Sequence, residues 1–125
     1  MKRLEGKSAL ITGSARGIGR TFAEAYIREG ATVAIADINI ERAEHTASEL
    51  GASAYALKID VTDQASIDHA IAAVDAKTGG IDILINNAGR HLMKYNQPFG
   101  ALSRDDLRGM FDVNVMGVIL SLIHI

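Results

Sequence analysis

The chain predicts an α/β fold with a parallel sheet, on three observations. An apolar strand, Ala9 to Ile11, runs into a turn holding Gly13, Gly17 and Gly19, and a helical pattern begins at once behind it. Strand-length apolar runs then alternate with helical periods four times along the 125 residues. The second apolar run closes on an acid, Asp37, 18 residues beyond Gly19. Strand, glycine turn, helix is the order in which a parallel unit holds a nucleotide phosphate, and the crossovers between such strands are right-handed.

Each glycine of the turn has its own task. One allows the tight turn, one removes a side chain that would block a pyrophosphate, and one lets the helix pack close to the strand. The free N–H groups of the first helical turn, aided by the helix dipole, then face an anion. Helix one is expected from about Ile18 to Glu29, with Ile18, Phe22, Ala25 and Tyr26 toward the sheet and Gly30 as its stop. The second strand, Ala31 to Ala36, is almost wholly apolar, as a strand covered on both faces should be.

Asp37 stands near the offset at which a carboxylate meets the adenosine ribose. There it would accept hydrogen bonds from both ribose hydroxyls and repel a 2′-phosphate, which favours NAD over NADP. The bland alternative is that Asp37 caps the next helix. That helix runs from about Ile40 to Leu50, with Ile40, Ala43, Ala47 and Leu50 on one face and Gly51 ending it. Strand three, Ala54 to Ile59, leads into Asp60, Val61, Thr62 and Asp63. Thr62 or Asp63 suits the cap of the following helix, Gln64 to Lys77, which leaves Asp60 for a ligand. Ile67, Ile71 and Val74 mark that helix's buried face, and Thr78-Gly79-Gly80 breaks it. Strand four, Ile81 to Ile85, feeds Asn86-Asn87-Ala88-Gly89. An amide at a strand's carboxyl end can bridge neighbouring backbone groups, and small residues beside it let a ligand approach.

The stretch Arg90 to Leu102 has no period; Tyr95, Pro98 and Phe99 fall at the rim where ligands bind in such folds. Ser103 to Asp106 reads as a capping box, and Leu107, Met110, Phe111, Val115 and Val118 continue the helix. Asn114 lies inside it, an unfavourable interior residue because its amide competes for backbone groups.

Composition narrows the classes. With 48% hydrophobic residues a packed core is possible. Net charge is −2, and no basic stripe points to nucleic acid. The sequence has no cysteine, so it forms neither a disulfide nor a thiolate metal site. The four histidines, His45, His69, His91 and His124, show no metal-ligand spacing. The start MKRLEGK is too short and polar for a signal peptide, and no apolar run approaches the ~20 residues of a membrane span. A cytoplasmic location is the expectation.

Taken together, Thr12-Gly13-x-x-x-Gly17-Ile18-Gly19, Asp60-Val61, Asn86-Asn87-Ala88-Gly89 and Asn114-x-x-Gly117 resemble the short-chain dehydrogenase/reductase family over Leu4 to about Leu120. The resemblance implies a Rossmann-type three-layer fold with strand order 3-2-1-4, broken off after about four strands. It implies cofactor contacts at Gly13, Ser14, Arg16, Gly17, Ile18, Gly19, Asp37, Asp60, Val61, Asn86, Ala88 and Gly89. Asp60 would bind the adenine amine, Val61 would offer its N–H to the ring, and Asn86 and the small residues after it would hold sheet and cofactor. In the family a base at the place of Arg16 often accompanies NADP, against which the charge of Asp37 weighs for NAD. Asn114 would be a member of the catalytic tetrad, ordering a water.

The tetrad's Tyr-x-x-x-Lys is absent. Tyr26, Tyr55 and Tyr95 are followed four residues later by Gly30, Ile59 and Phe99. The family pattern is therefore covered only in its amino-terminal half, and the 125 residues alone are expected to be inactive. The segment 121–125, SLIHI, reads as a non-native tail behind a cofactor-binding unit of residues 1–120. The stretch Gly13 to Ile38 looks most like bacterial sorbitol- and galactitol-type polyol dehydrogenases, with a secondary alcohol or its ketone as substrate. A 3-oxoacyl-carrier-protein reductase and a non-catalytic NAD-binding module are the alternatives. The resemblance also implies a homo-oligomeric parent enzyme.

Overall fold

The computed structural model describes residues 2–90 and 98–122. Tyr95, His91 and His124, the side chain of Phe99 and the last three residues of the tail lie outside what is described. Four parallel strands, β1 (Ser8–Thr12), β2 (Thr32–Asp37), β3 (Ala54–Lys58) and β4 (Ile83–Ile85), form one sheet in the order β3-β2-β1-β4. This is the expected order. The helices are α1 (Gly17–Arg28), α2 (Ile40–Leu50), α3 (Gln64–Thr78), α4 (Arg104–Phe111) and α5 (Gly117–Leu122), with a π turn at Asp112–Met116 joining the last two.

The sheet is covered on both faces because the inner positions of its central strands, Ala9 to Ile11 and Val33 to Ala36, are apolar on both sides. Ala9, Ile11, Val33 and Ile35 pack with Ala23 of α1 and with Ala43 and Ala47 of α2. Leu10, Ala34 and Ala36, one step along each strand, pack with Ile67, Ala70 and Val74 of α3. The period of two thus divides each strand between two cores and makes three layers.

Helix ends follow short-range chemistry. Asn39 caps α2 by accepting the Arg42 N–H at 3.0 Å, Asp63 caps α3 by accepting the Ala65 N–H at 3.1 Å, and Ser103 caps α4 by accepting the Asp106 N–H at 3.1 Å. The alternative role of Asp37 as a helix cap is therefore taken by Asn39. Helix α1 differs: its N-cap is Arg16, and no side chain caps it.

One expected face and one expected helix are corrected. Ile18 is 71% exposed and Phe22 41%. The buried residues of α1 are Gly19 and Ala23. The first turns of the helix lie so close to the turn after β1 that only small residues fit there, whereas Tyr26 and Ile27, further along, pack on the core. The helix from Ser103 is not one regular α-helix either. The π turn interrupts it, and Leu107, Phe111 and Val115 are exposed. Beyond it, Gly117 lies against Val61, where a Cβ would stand 2.7 Å from Val61 Cγ2. Helix α5 continues through Ser121 and Leu122, with Ser121 buried and its hydroxyl donating to the Gly117 carbonyl at 2.8 Å.

At the amino end of the sheet, Asp82 accepts the Ser8 N–H at 2.8 Å, and the Ser8 and Thr78 hydroxyls bond to each other at 2.8 Å. The Tyr55 hydroxyl is buried near them without a hydrogen-bond partner among the described residues. Burial raises its pKa above the ordinary 10, and the nearby Thr78 and Ser8 hydroxyls temper the shift. A raised native pKa means stability that is full below pH 10 and is lost as pH rises through the native value. Tyr55→Phe is expected to unfold at the same urea concentration as the parent, or a higher one, at pH 7, and to show a flatter stability profile above pH 10. Urea titrations at both pH values check this.

Candidate functional site

The carboxyl ends of β1, β2 and β4 meet at a cleft of about 760 Å³. Gly13, Arg16, Gly17, Asp37, Asn39, Arg42, Asp60, Val61, Asn87, Ala88, Gly89, Arg90 and Val113 are among its lining residues. A ligand site in a parallel α/β sheet belongs at this end. A second hollow of about 640 Å³, beside Arg3, Leu4 and Tyr26, lies away from these strand ends.

The floor is a clamp between β1 and β4. Thr12 Oγ1 accepts the Asn87 N–H at 3.1 Å and the Ala88 N–H at 3.0 Å. Asn87 Nδ2 donates to the Gly13 carbonyl at 3.1 Å. The amide expected at the end of β4 is therefore Asn87 and not Asn86. Asn86 does not line the cleft. Which of two adjacent asparagines turns toward the glycine turn depends on how the chain leaves the strand, and spacing alone does not record that.

The three glycines have separate roles. Gly13 and Gly17 have positive φ, 64° and 62°, which other residues adopt at a cost. The Cβ position at Gly17 is open space on the cleft side. Gly19 is a packing residue: a Cβ there would stand 2.5 Å from Asn87 Nδ2, 2.7 Å from the Gly13 carbonyl oxygen and 2.8 Å from Ser14 Cα.

At two further expected contacts the side chain is turned away from the cleft, which leaves only the backbone to meet a ligand. Ser14 is wholly buried; its hydroxyl donates to the Ile11 carbonyl at 2.7 Å and accepts the Ala36 N–H at 3.1 Å. It extends the β1–β2 pairing around the turn and does not line the cleft. Ile18 projects to solvent outside the lining.

Asp37 is 8% exposed and lines the cleft. Its Oδ2 accepts the Ala15 N–H at 3.2 Å and its Oδ1 accepts the Asn39 N–H at 3.1 Å. Two backbone donors thus fix the carboxylate in place. Asp60 is less free than expected: Oδ1 accepts both the Thr62 N–H at 2.9 Å and the Thr62 hydroxyl at 2.6 Å. One oxygen is occupied by this local turn, so an adenine amine would have to meet the other.

Asn114 sits within the π turn, and its Oδ1 accepts the Arg90 N–H at 2.9 Å. The same oxygen would stand 3.3 Å from a Cβ on Gly89, so the small residue there lets the amide approach. Single-turn π segments in helices recur at functional sites. Arg90, which sequence reasoning passed over, lines the cleft, and its guanidinium lies over Gly109, 2.9 Å from where a Cβ would be. Arg42 was passed over as well. The signal for both would have been proximity to the strand ends.

Residues 7–124 match the family described as short chain dehydrogenase. The chain belongs to that family. It is 55% identical over 117 residues to a sorbitol dehydrogenase of Cereibacter sphaeroides, covering 94% of this chain and 44% of that protein. It is 50% identical over 115 residues to a galactitol 2-dehydrogenase of Agrobacterium fabrum, covering 92% and 44%. The fold matches a 3-ketoacyl-(acyl-carrier-protein) reductase of Brucella melitensis complexed with NADH, at TM-score 0.90 and 38% identity over 96% of this chain and 49% of that one. The chain therefore spans less than half the length of these curated relatives. Members of the family are oxidoreductases that bind a nicotinamide cofactor. No helix of the described residues is long and apolar enough to cross a membrane.

Gly19→Ala is expected to cost about 1–3 kcal/mol of stability, the range for overpacking a tight contact. Truncating Asn87 alongside it should not restore the loss, because two of the three close atoms are backbone. Urea unfolding of Gly19→Ala and of the double variant tests this.

Proposed function

We propose that this chain is the cofactor-binding half of an NAD-dependent dehydrogenase that acts on a secondary alcohol or its ketone, with a polyol as substrate. One observation carries the reading: the uncapped start of α1, the glycine turn, open at Gly17, and the carboxylate of Asp37 all face one cleft. The donor set fits a dinucleotide. Unpartnered N–H groups at the first turn of α1 suit a pyrophosphate, and the fixed carboxylate of Asp37 suits a ribose diol. Asp60, through its remaining oxygen, and the backbone of Val61 would bound the adenine. Ala88 and Gly89 would bring the backbone of the β4 end close to the cofactor. When bound, the nicotinamide ring supplies hydride acceptance and donation.

In this reading Asn114 is a positioning residue. It holds the backbone of Arg90 at the rim and leaves its remaining amide hydrogens for an ordered water. Proton transfer to the substrate oxygen needs a donor matched to neutral pH. The sequence has no Tyr-x-x-x-Lys to provide it. The polyol assignment is supported by the sorbitol and galactitol dehydrogenases among the relatives. A 3-oxoacyl-carrier-protein substrate is the second reading, favoured by the fold match to such a reductase.

Calorimetric titration with NAD and NADP is the test. Saturable binding with NAD the tighter ligand is expected, and Asp37→Ala should reduce that preference about tenfold, the loss of one charge-assisted hydrogen-bond site. Absence of saturable NAD binding would overturn the reading. With NAD and either sorbitol or galactitol, the 125 residues alone are expected to yield no reduced cofactor above a protein-free control.

A further inference from the structure

Three arginines and two aspartates line the cleft: Arg16, Arg42, Arg90, Asp37 and Asp60. Arg42 has no role in any part of the reading so far. It lies in the first turn of α2, where its own N–H donates to Asn39, the cap of that helix. Arg16 lies on the opposite bank, at the start of α1. Asp37 is held between the two banks. One of its oxygens is bonded to Ala15, the neighbour of Arg16, and the other to Asn39, the cap of the helix that carries Arg42.

Neither guanidinium forms an ion pair or a side-chain hydrogen bond with a described residue, although a carboxylate stands between the segments that carry them. One arginine within α1 shows the contrast, since it is paired with carboxylates of both helices. Arg20 bonds Glu24 at 3.0 Å and Glu49 at 2.7 Å. Two exposed guanidiniums are therefore available at the rim beside Asp37. A guanidinium matches a phosphate through parallel N–H donors, and two of them together offset the repulsion from one carboxylate.

We propose that Arg42, across the cleft from Arg16, gives the adenosine pocket affinity for a phosphate on the ribose 2′-oxygen. Cofactor choice is then set by Asp37 against Arg42 and Arg16 together, and not by Asp37 alone. This rests on the nucleotide reading of the cleft. It makes Arg42 a specificity-determining residue whose effect is confined to ligands that carry the extra phosphate.

Calorimetry with 5′-AMP and adenosine 2′,5′-bisphosphate as probes separates the terms. Arg42→Ala is expected to weaken the bisphosphate roughly tenfold, as for one charge-assisted hydrogen bond, and to leave 5′-AMP within about twofold. Arg42→Lys should retain part of the bisphosphate affinity, since it keeps the charge and loses the fork. Asp37→Asn should strengthen the bisphosphate, and Asp37→Asn with Arg42→Ala should lose that gain. If 5′-AMP binds and the bisphosphate binds equally with and without Arg42, the assignment of Arg42 falls alone. If NAD and 5′-AMP fail to bind while the bisphosphate binds through Arg42, the NAD reading falls and the assignment stands. If no probe binds, both fall.

Discussion

The cleft depends on how closely the turn after β1 can approach the end of β4. Thr12, Gly13, Gly19 and Asn87 meet there, and the contact leaves no room for another methyl group. Every other site feature takes its place from that approach. It sets the start of α1 over the strand ends, carries Ala88 and Gly89 to the rim, and leaves Gly17 facing open space. The hydrogen bonds are ordinary in length. Their importance is positional, because they tie the turn after β1 to the end of β4 from both sides.

Much of this was legible in the sequence, for physical reasons that differ by element. Helix α2 was readable to its last residue, since the period of Ile40, Ala43, Ala47 and Leu50 and the stop at Gly51 mark it independently; its cap, Asn39, came from the structure. The strand order followed from the alternation of elements and the family resemblance. The face of α1 was legible at Tyr26, which packs on the core, and not in the first turns. Periodicity identifies apolar residues, and it assigned Ile18 and Phe22 inward because they are large. The interface is so close that size counts against them, and Gly19 and Ala23 occupy it. A hydrophobicity pattern does not register a distance between layers.

The site divides in the same way. Gly13, Gly17, Asp37, Asp60, Val61, Ala88 and Gly89 come together on one cleft as expected. Ser14 and Asn86 do not, although both sit inside recognisable motifs. A motif lists residues in order, whereas the backbone decides which of two neighbours points where. Ser14 serves the sheet, and Asn87 takes the place assigned to Asn86. The π turn was also invisible in the local pattern, and the contacts around it lie outside the helix: Asn114 bonds the backbone of Arg90, 24 residues earlier, and Gly117 lies against Val61.

The bond from Asn87 to Gly13 spans 74 residues of chain, as does that from Asp82 to Ser8. The pairs β1–β2 and β2–β3 join neighbouring segments, but β4 must travel past all of them to dock beside β1. The floor of the cleft thus rests on the pairing with the longest sequence separation in the sheet, and it is missing from any conformation in which β4 is undocked. A molecule that needs this floor binds only the finished arrangement and draws the equilibrium toward it. On the proposed reading, ligand occupancy and the closing of the sheet would be coupled at this edge, and a bound dinucleotide would act as a structural element of the domain as well as a reagent.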